Sequence, residues 1–161
     1  MRRRRQAQRI RKAKSLLVDV PIPENHFIEM EYMMEERFYA YIRQIAKANG
    51  AYVRIIGNYN CYVGYYCRPN RLDIYLDKSK YFDPCDLLKN IQTVIAIFCH
   101  ELGHYIIQKA YPKEDLLWRD TYFRLFETET EAARLAFHIY RKYFWYDKSL
   151  RIHNKDRKLG W

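Results

Sequence analysis

The sequence has few glycines and prolines, no long apolar run and no paired cysteine motif. Only five of its 161 residues are glycine and five are proline, which excludes long flexible linkers. No apolar run approaches the roughly 20 residues that a membrane-spanning helix needs. The apolar stretch Leu16–Val18 is also too short to follow Met1–Arg5 as the core of a secretion signal. We therefore predict a cytoplasmic protein with no membrane partner.

What the chain does contain is enough apolar material for one folded domain. Apolar residues make up 49% of the sequence and aromatic residues 17%, a composition typical of globular proteins. Four cysteines occur, but none forms a C-x-x-C pair, so a cysteine-based zinc site has little support. In a cytoplasmic protein these cysteines are expected as reduced thiols.

The net charge of +10 is concentrated at the N-terminus. Residues 1–14 carry eight basic side chains and no acid, and the rest of the chain carries 21 basic and 19 acidic residues. We interpret residues 1–20 as a basic arm, either extended in solvent or a frayed helix, and residues 21–161 as a single domain. Such an arm predicts salt-sensitive, sequence-independent contact with nucleic acid or another acidic surface.

The order of predicted elements indicates an α+β fold. Apolar residues at spacings of three to four predict a helix over residues 24–49, with Gly50 as its C-cap. Short β-prone segments between residues 51 and 77 predict a three-stranded meander. A helix over residues 86–110 is apolar on nearly every face and should be buried. A further helix is predicted over residues 113–146.

The buried helix carries the pattern H-E-x-x-H. His100 and His104 are four residues apart, so their imidazoles project from one face and can reach the same tetrahedral zinc ion. Glu101 is then placed to act as general base toward a zinc-bound water. The alternative is a set of ordinary helix polar residues. It would require a buried carboxylate without a cation, which costs several kcal/mol.

A third zinc ligand is expected from the following helix. Glu127 and Glu131 share a face of that helix, about 40° apart, whereas Glu129 lies about 160° from Glu131. Spacing therefore leaves Glu127 and Glu131 as candidates and excludes Glu129. His138 lies two turns beyond Glu131, and either His138 or a tyrosine is a candidate to stabilise an oxyanion. A plain core role for His138 is also open.

At these residues the sequence resembles the ImmA/IrrE family of metallopeptidases. The resemblance rests on His100–His104, which read H-E-L-G-H, and on Glu129–Ala136, which follow the pattern E-x-E-A-x-x-x-A. It implies a minimal zincin-like domain over about residues 27–145, with Glu131 as the zinc-binding glutamate. It also implies a cytoplasmic protease of phages or mobile elements that cleaves a DNA-binding repressor. Ala133 and Leu135 depart from the family pattern and leave the substrate class open.

Two other functions fit parts of the sequence. One is a catalytically silent zincin-fold protein that serves a phage or mobile element by binding or structure. The other is an SprT-like protease whose third ligand is a histidine, for which His138, 34 residues after His104, is in the right region. The intact H-E-x-x-H pattern favours an active zinc endopeptidase, because loss of Glu101 is the simplest route to an inactive site.

Overall fold

The computed structural model describes residues 2–23, 34–77, 87–113 and 122–145. These residues form four helices and one three-stranded sheet, which confirms the α+β class. The elements, in chain order, are α1 (Arg2–Ser15), α2 (Met34–Ala48), β1 (Tyr52–Tyr59), β2 (Val63–Cys67), β3 (Arg71–Asp77), α3 (Leu87–Ala110) and α4 (Tyr122–Tyr143).

The sheet is not the predicted meander. Its strand order is β1-β3-β2, with β3 parallel to β1 and antiparallel to β2. The three strands lie where the sequence predicted them, but a meander would have placed β2 in the centre. The central position goes to β3 because its alternating Leu72, Ile74 and Leu76 are all buried, whereas β1 is mostly exposed and β2 is mostly half-buried. Strand periodicity predicts strands and their buried faces, not their order.

The most buried element is α3, as its apolar sequence predicted. It packs against α1, α4, β2 and β3, and it runs from Leu87 to Ala110. Its buried side chains include Ile95, Phe98 and Leu102, which are fully enclosed. Among the described helices, α3 and α4 share the most extensive contact, and the candidate site lies there.

The ends of two predicted helices can be compared with the structure. Gly50 has a φ of +90° and donates its N–H to the carbonyl of Lys47, which confirms the predicted C-cap of α2. Residues 24–33 of that predicted helix lie outside the described residues. The last helix was predicted over residues 113–146. Pro112 and Lys113 form a turn, residues 114–121 and 146 lie outside the described residues, and the described helix spans Tyr122–Tyr143.

The N-terminal segment is a packed helix, so the expectation of an extended basic arm is wrong. Helix α1 contacts α3 and α4, and its Ile10 and Ala13 belong to the hydrophobic core together with Leu17. These three residues are spaced by three and four, which makes an apolar stripe among the charges. Arg9 is also buried and forms an ion pair with Glu131. The prediction relied on the positive charge of the segment and therefore missed this apolar stripe.

Within the described part of the chain, no helix has the length and apolar character needed to cross a lipid bilayer.

Candidate metal centre

The two histidines of the H-E-x-x-H pattern lie side by side on α3. Their Nε2 atoms are 3.1 Å apart, and their rings meet edge to face with centroids 4.8 Å apart. His104 is buried and His100 is partly exposed, so the pair lies at the edge of the core. Two imidazole nitrogens at this separation cannot both carry a proton that points at the other.

Glu129 of α4 completes the cluster. Its Oε2 lies 2.8 Å from Nε2 of His100, and its Oε1 lies 3.1 Å from Nε2 of His104. These three residues form a group with the donors to hold a metal ion. Zinc ligands at about 2.0–2.1 Å in a tetrahedral arrangement are separated by about 3.4 Å. The observed separations are close to that value, so small shifts of the side chains would admit one ion.

The structure does not bring Glu131, the predicted third ligand, to the histidines. Its Oε1 accepts a hydrogen bond of 2.8 Å from Nε of Arg9 in a buried contact with α1. Residues two apart on a helix differ by about 200°, so only one of Glu129 and Glu131 can face α3. The predicted angle between the two glutamates is correct, but the face of α4 that was predicted to meet α3 is wrong. The side chain of Glu127 lies outside the described residues.

A signal for Glu129 was present in the sequence. The buried face of α4 contains Ala132, Ala136, Tyr140 and Tyr143, which follow Glu129 at helical spacing. Glu129 extends that apolar stripe by one turn toward the N-terminus of the helix. The apolar stripe marks the side of α4 that faces α3. Glu129 lies in line with this stripe, whereas Glu131 does not.

Gly103 allows α4 to lie against α3. A Cβ added to Gly103 would lie 2.8 Å from the backbone oxygen of Ala132, a distance that real Cβ atoms do not reach. The backbone that comes this close to Gly103 is that of α4. Because Ala132 is three residues after Glu129, this close contact also places the Glu129 carboxylate beside the histidines.

Glu101 is buried beside the cluster, on the side of β2. An added Cβ on Gly64 of β2 would lie 2.8 Å from Cγ of Glu101, so this strand also approaches α3 closely. Burial raises the pKa of Glu101, while His104, His100 and a backbone hydrogen bond from Tyr66 oppose that rise. The result is a carboxyl group that can hold or release a proton nearer to neutral pH than an exposed glutamate.

The pKa values of Glu129 and His100 are also shifted, and contacts within the cluster contribute to both shifts. The hydrogen bonds from His100 and His104 hold the pKa of Glu129 far below its usual value. Burial disfavours a charged His100, but the hydrogen bond to Glu129 and the nearby carboxylates outweigh this and raise its pKa. The site therefore favours a positive charge among these donors, supplied by a proton or by a metal ion.

His138 lies away from this cluster, which contradicts its predicted roles. Nine residues after Glu129, it is about 180° around α4 and points to the opposite face. Its surroundings are Phe137, whose ring centroid is 6.1 Å away, and the charges of Lys14 and Arg141. It is therefore neither an oxyanion-stabilising residue at this site nor the third ligand of an SprT-like arrangement.

No model of a known protein family, no curated protein and no solved structure matches this chain.

Proposed function

We propose that this protein is a zinc-dependent endopeptidase of the zincin type. His100, His104 and Glu129 would hold the zinc ion, and Glu101 would move the proton. The observation that carries the proposal is the convergence of three donors within 3.1 Å of one another, with a buried carboxyl group one residue from the first histidine.

The donor set favours zinc over other common metals. Two imidazoles and one carboxylate form a catalytic zinc site with a position left for water or substrate. Zinc at this position would lower the pKa of a coordinated water toward about 7 and polarise a substrate carbonyl. The Glu129 side chain is 52% exposed, so one side of the cluster is open to solvent and to a peptide.

Glu101 has the surroundings that a general base requires. It must accept a proton from the attacking water and later give it to the leaving amine, so its pKa should lie near the working pH. Burial raises that pKa, and the N–H of Tyr66 fixes the carboxylate against β2. The neighbouring imidazoles oppose this rise in the pKa of Glu101.

The class of substrate is part of the proposal. The resemblance to ImmA/IrrE peptidases suggests a regulatory protein of a phage or mobile element, such as a DNA-binding repressor. However, Glu129 is the first glutamate of the E-x-E-A pattern, and the resemblance assigned the metal to the second. A DNA-binding repressor is still the first substrate to test. The competing function is that of a catalytically silent zinc-binding protein.

The test compares the wild-type protein with Glu101→Gln. Both should contain about one zinc per chain by elemental analysis, since the amide preserves the shape of the side chain. Hydrolysis of an unfolded protein substrate should fall by about 100-fold or more in the variant, because glutamine cannot accept the proton. His138→Gln is the matched control and should keep both zinc and activity. Zinc at full occupancy without turnover in the wild type would favour the silent binding protein.

A further inference from the structure

The solvent side of α1 is covered with basic side chains. Six are exposed on a helix that contains no acid, and they span about 16 Å along its axis. They are Arg3, Arg4, Arg5, Arg11, Lys12 and Lys14. Because α1 is folded and fixed to α3 and α4, these charges lie on a rigid surface and not on a flexible chain.

The basic surface continues onto α4. Arg134 donates a hydrogen bond to Gln6 of α1, and Lys14 lies close enough to His138 to lower its pKa. The described acidic side chains of α4 are Glu129 and Glu131, which contact the histidines and Arg9 respectively. Neither neutralises the exposed arginines of this surface.

The α4 half of the surface also carries aromatic rings. Phe137 is 42% exposed, and the guanidinium carbon of Arg141 lies 5.6 Å from the centre of its ring. The same guanidinium lies 5.3 Å from the ring of Trp145. The three side chains follow one another at intervals of four residues, so the two rings and the guanidinium form a row along α4 and the turn that follows it.

We propose that this α1–α4 surface, formed by the exposed basic residues of α1 with Arg134, Phe137 and Arg141, binds single-stranded nucleic acid. Phosphates would contact the basic side chains, and an unpaired base would stack on Phe137 and Arg141.

A nucleic acid fits this surface better than a membrane or an acidic protein. Helices that bind membranes insert an apolar face, but the apolar stripe of α1 is already buried in the core. An acidic polypeptide would satisfy the charges but would make no use of an exposed ring next to a guanidinium. Alternating phosphates and bases match both features.

The experiment uses the full-length protein and compares two double variants of equal charge. Arg11→Gln with Lys14→Gln removes two charges from the α1–α4 surface. Arg43→Gln with Lys47→Gln removes the same two from the exposed side of α2. Glutamine keeps good helix propensity, so both variants should fold. Binding of a mixed-sequence single-stranded DNA is measured by fluorescence anisotropy over a salt titration.

The surface variant should bind about 25-fold more weakly than wild type at about 0.1 M salt, and its log–log salt slope should fall by about 1.4. The α2 variant should bind within about twofold of wild type. Equal losses in the two variants would overturn the proposal, because they would show a response to net charge and not to this surface.

The variant Phe137→Ala tests whether an unpaired base stacks on the ring of Phe137. It should weaken single-stranded DNA about fivefold or more and leave duplex DNA nearly unchanged, because a duplex does not offer unpaired bases. Equal weakening of both, or of neither, would overturn the assignment. The assignment would also be overturned if polyglutamate or anionic lipid vesicles competed with the DNA as strongly as an equal concentration of unlabelled strand.

Discussion

Two glutamates on α4, only two residues apart, lie in contrasting surroundings. Glu131 is buried and has the guanidinium of Arg9 at 2.8 Å, whereas Glu129 is half-exposed and faces two imidazoles. Arginine stays charged at every accessible pH, so Glu131 has a permanent cation and needs no other. Imidazoles can lose their protons and present lone pairs. The cluster at Glu129 is therefore the one able to exchange protons for a metal ion.

The largest effect should come from removing one glutamate or the other. Glu129→Gln should lower zinc affinity by about three orders of magnitude, since it weakens one of three protein ligands. Glu131→Gln should change zinc affinity only a few-fold, because its carboxylate contacts Arg9 and not the histidines. A competition titration with a zinc indicator measures both values. The contrast fails if the two variants lose zinc equally, or if Glu131→Gln loses more.

The second effect concerns stability. Arg9→Met should lower the free energy of unfolding by about 3 kcal/mol, because it leaves Glu131 buried without a partner. Adding Glu131→Met should restore most of that loss, since two apolar side chains can fill the same space. Urea unfolding of the two single variants and the double variant gives the coupling energy. Losses that simply add would mean that Arg9 and Glu131 contribute independently.

The sequence predicts the helix that carries the two histidines better than it predicts the residue opposite them. Spacing within one helix suffices to place His100 and His104 together, and the apolar character of α3 suffices to bury them. The third donor depends on which side of α4 faces α3, and this is a tertiary property. Family motif and angles together selected Glu131, whereas the apolar stripe through Ala136 and Tyr140 would have indicated Glu129.

The same limit applies to the sheet and to α1. Strand positions follow from alternation, but the order β1-β3-β2 depends on which strand the helices cover. In the N-terminal segment, the dense positive charge hid an apolar stripe formed by Ile10 and Ala13 of α1 and by Leu17 just after it. Its burial becomes favourable only when α3 and α4 are present to receive it and Glu131 offsets Arg9. Neither condition can be seen from residues 1–20 alone.

The third effect tests the close contact that orients Glu129. Gly103→Ala should lower the free energy of unfolding by about 2 kcal/mol, because its Cβ would meet the backbone of α4, which cannot yield as a side chain can. Zinc affinity should fall with it as Glu129 moves from the histidines. Gly57→Ala is the control, since a Cβ there meets nothing within 4 Å. A stable Gly103→Ala protein with normal zinc affinity would show that this contact does not position the ligand.

The smallest effect should appear on the other face of α4, at His138. Burial lowers its pKa below the ordinary value of about 6.5, and the charges of Lys14 and Arg141 lower it further. A depressed histidine pKa means that the unfolded chain binds the proton more tightly than the folded one. His138 therefore contributes stability above about pH 6.5, and this contribution is lost as the pH falls through the folded-state value.

Lys14→Gln should move the His138 pKa part of the way back toward its ordinary value, because it removes one of the two repelling charges and leaves burial unchanged. The measurement is an NMR titration of the His138 ring protons. Lys12→Gln is the matched control: it removes the same charge from the same helix, but its ammonium lies 4.5 Å from the Tyr111 ring centre. We expect a smaller shift there. Equal shifts in the two variants would mean that His138 senses the total charge of α1, and the specific effect of Lys14 on His138 would then be wrong.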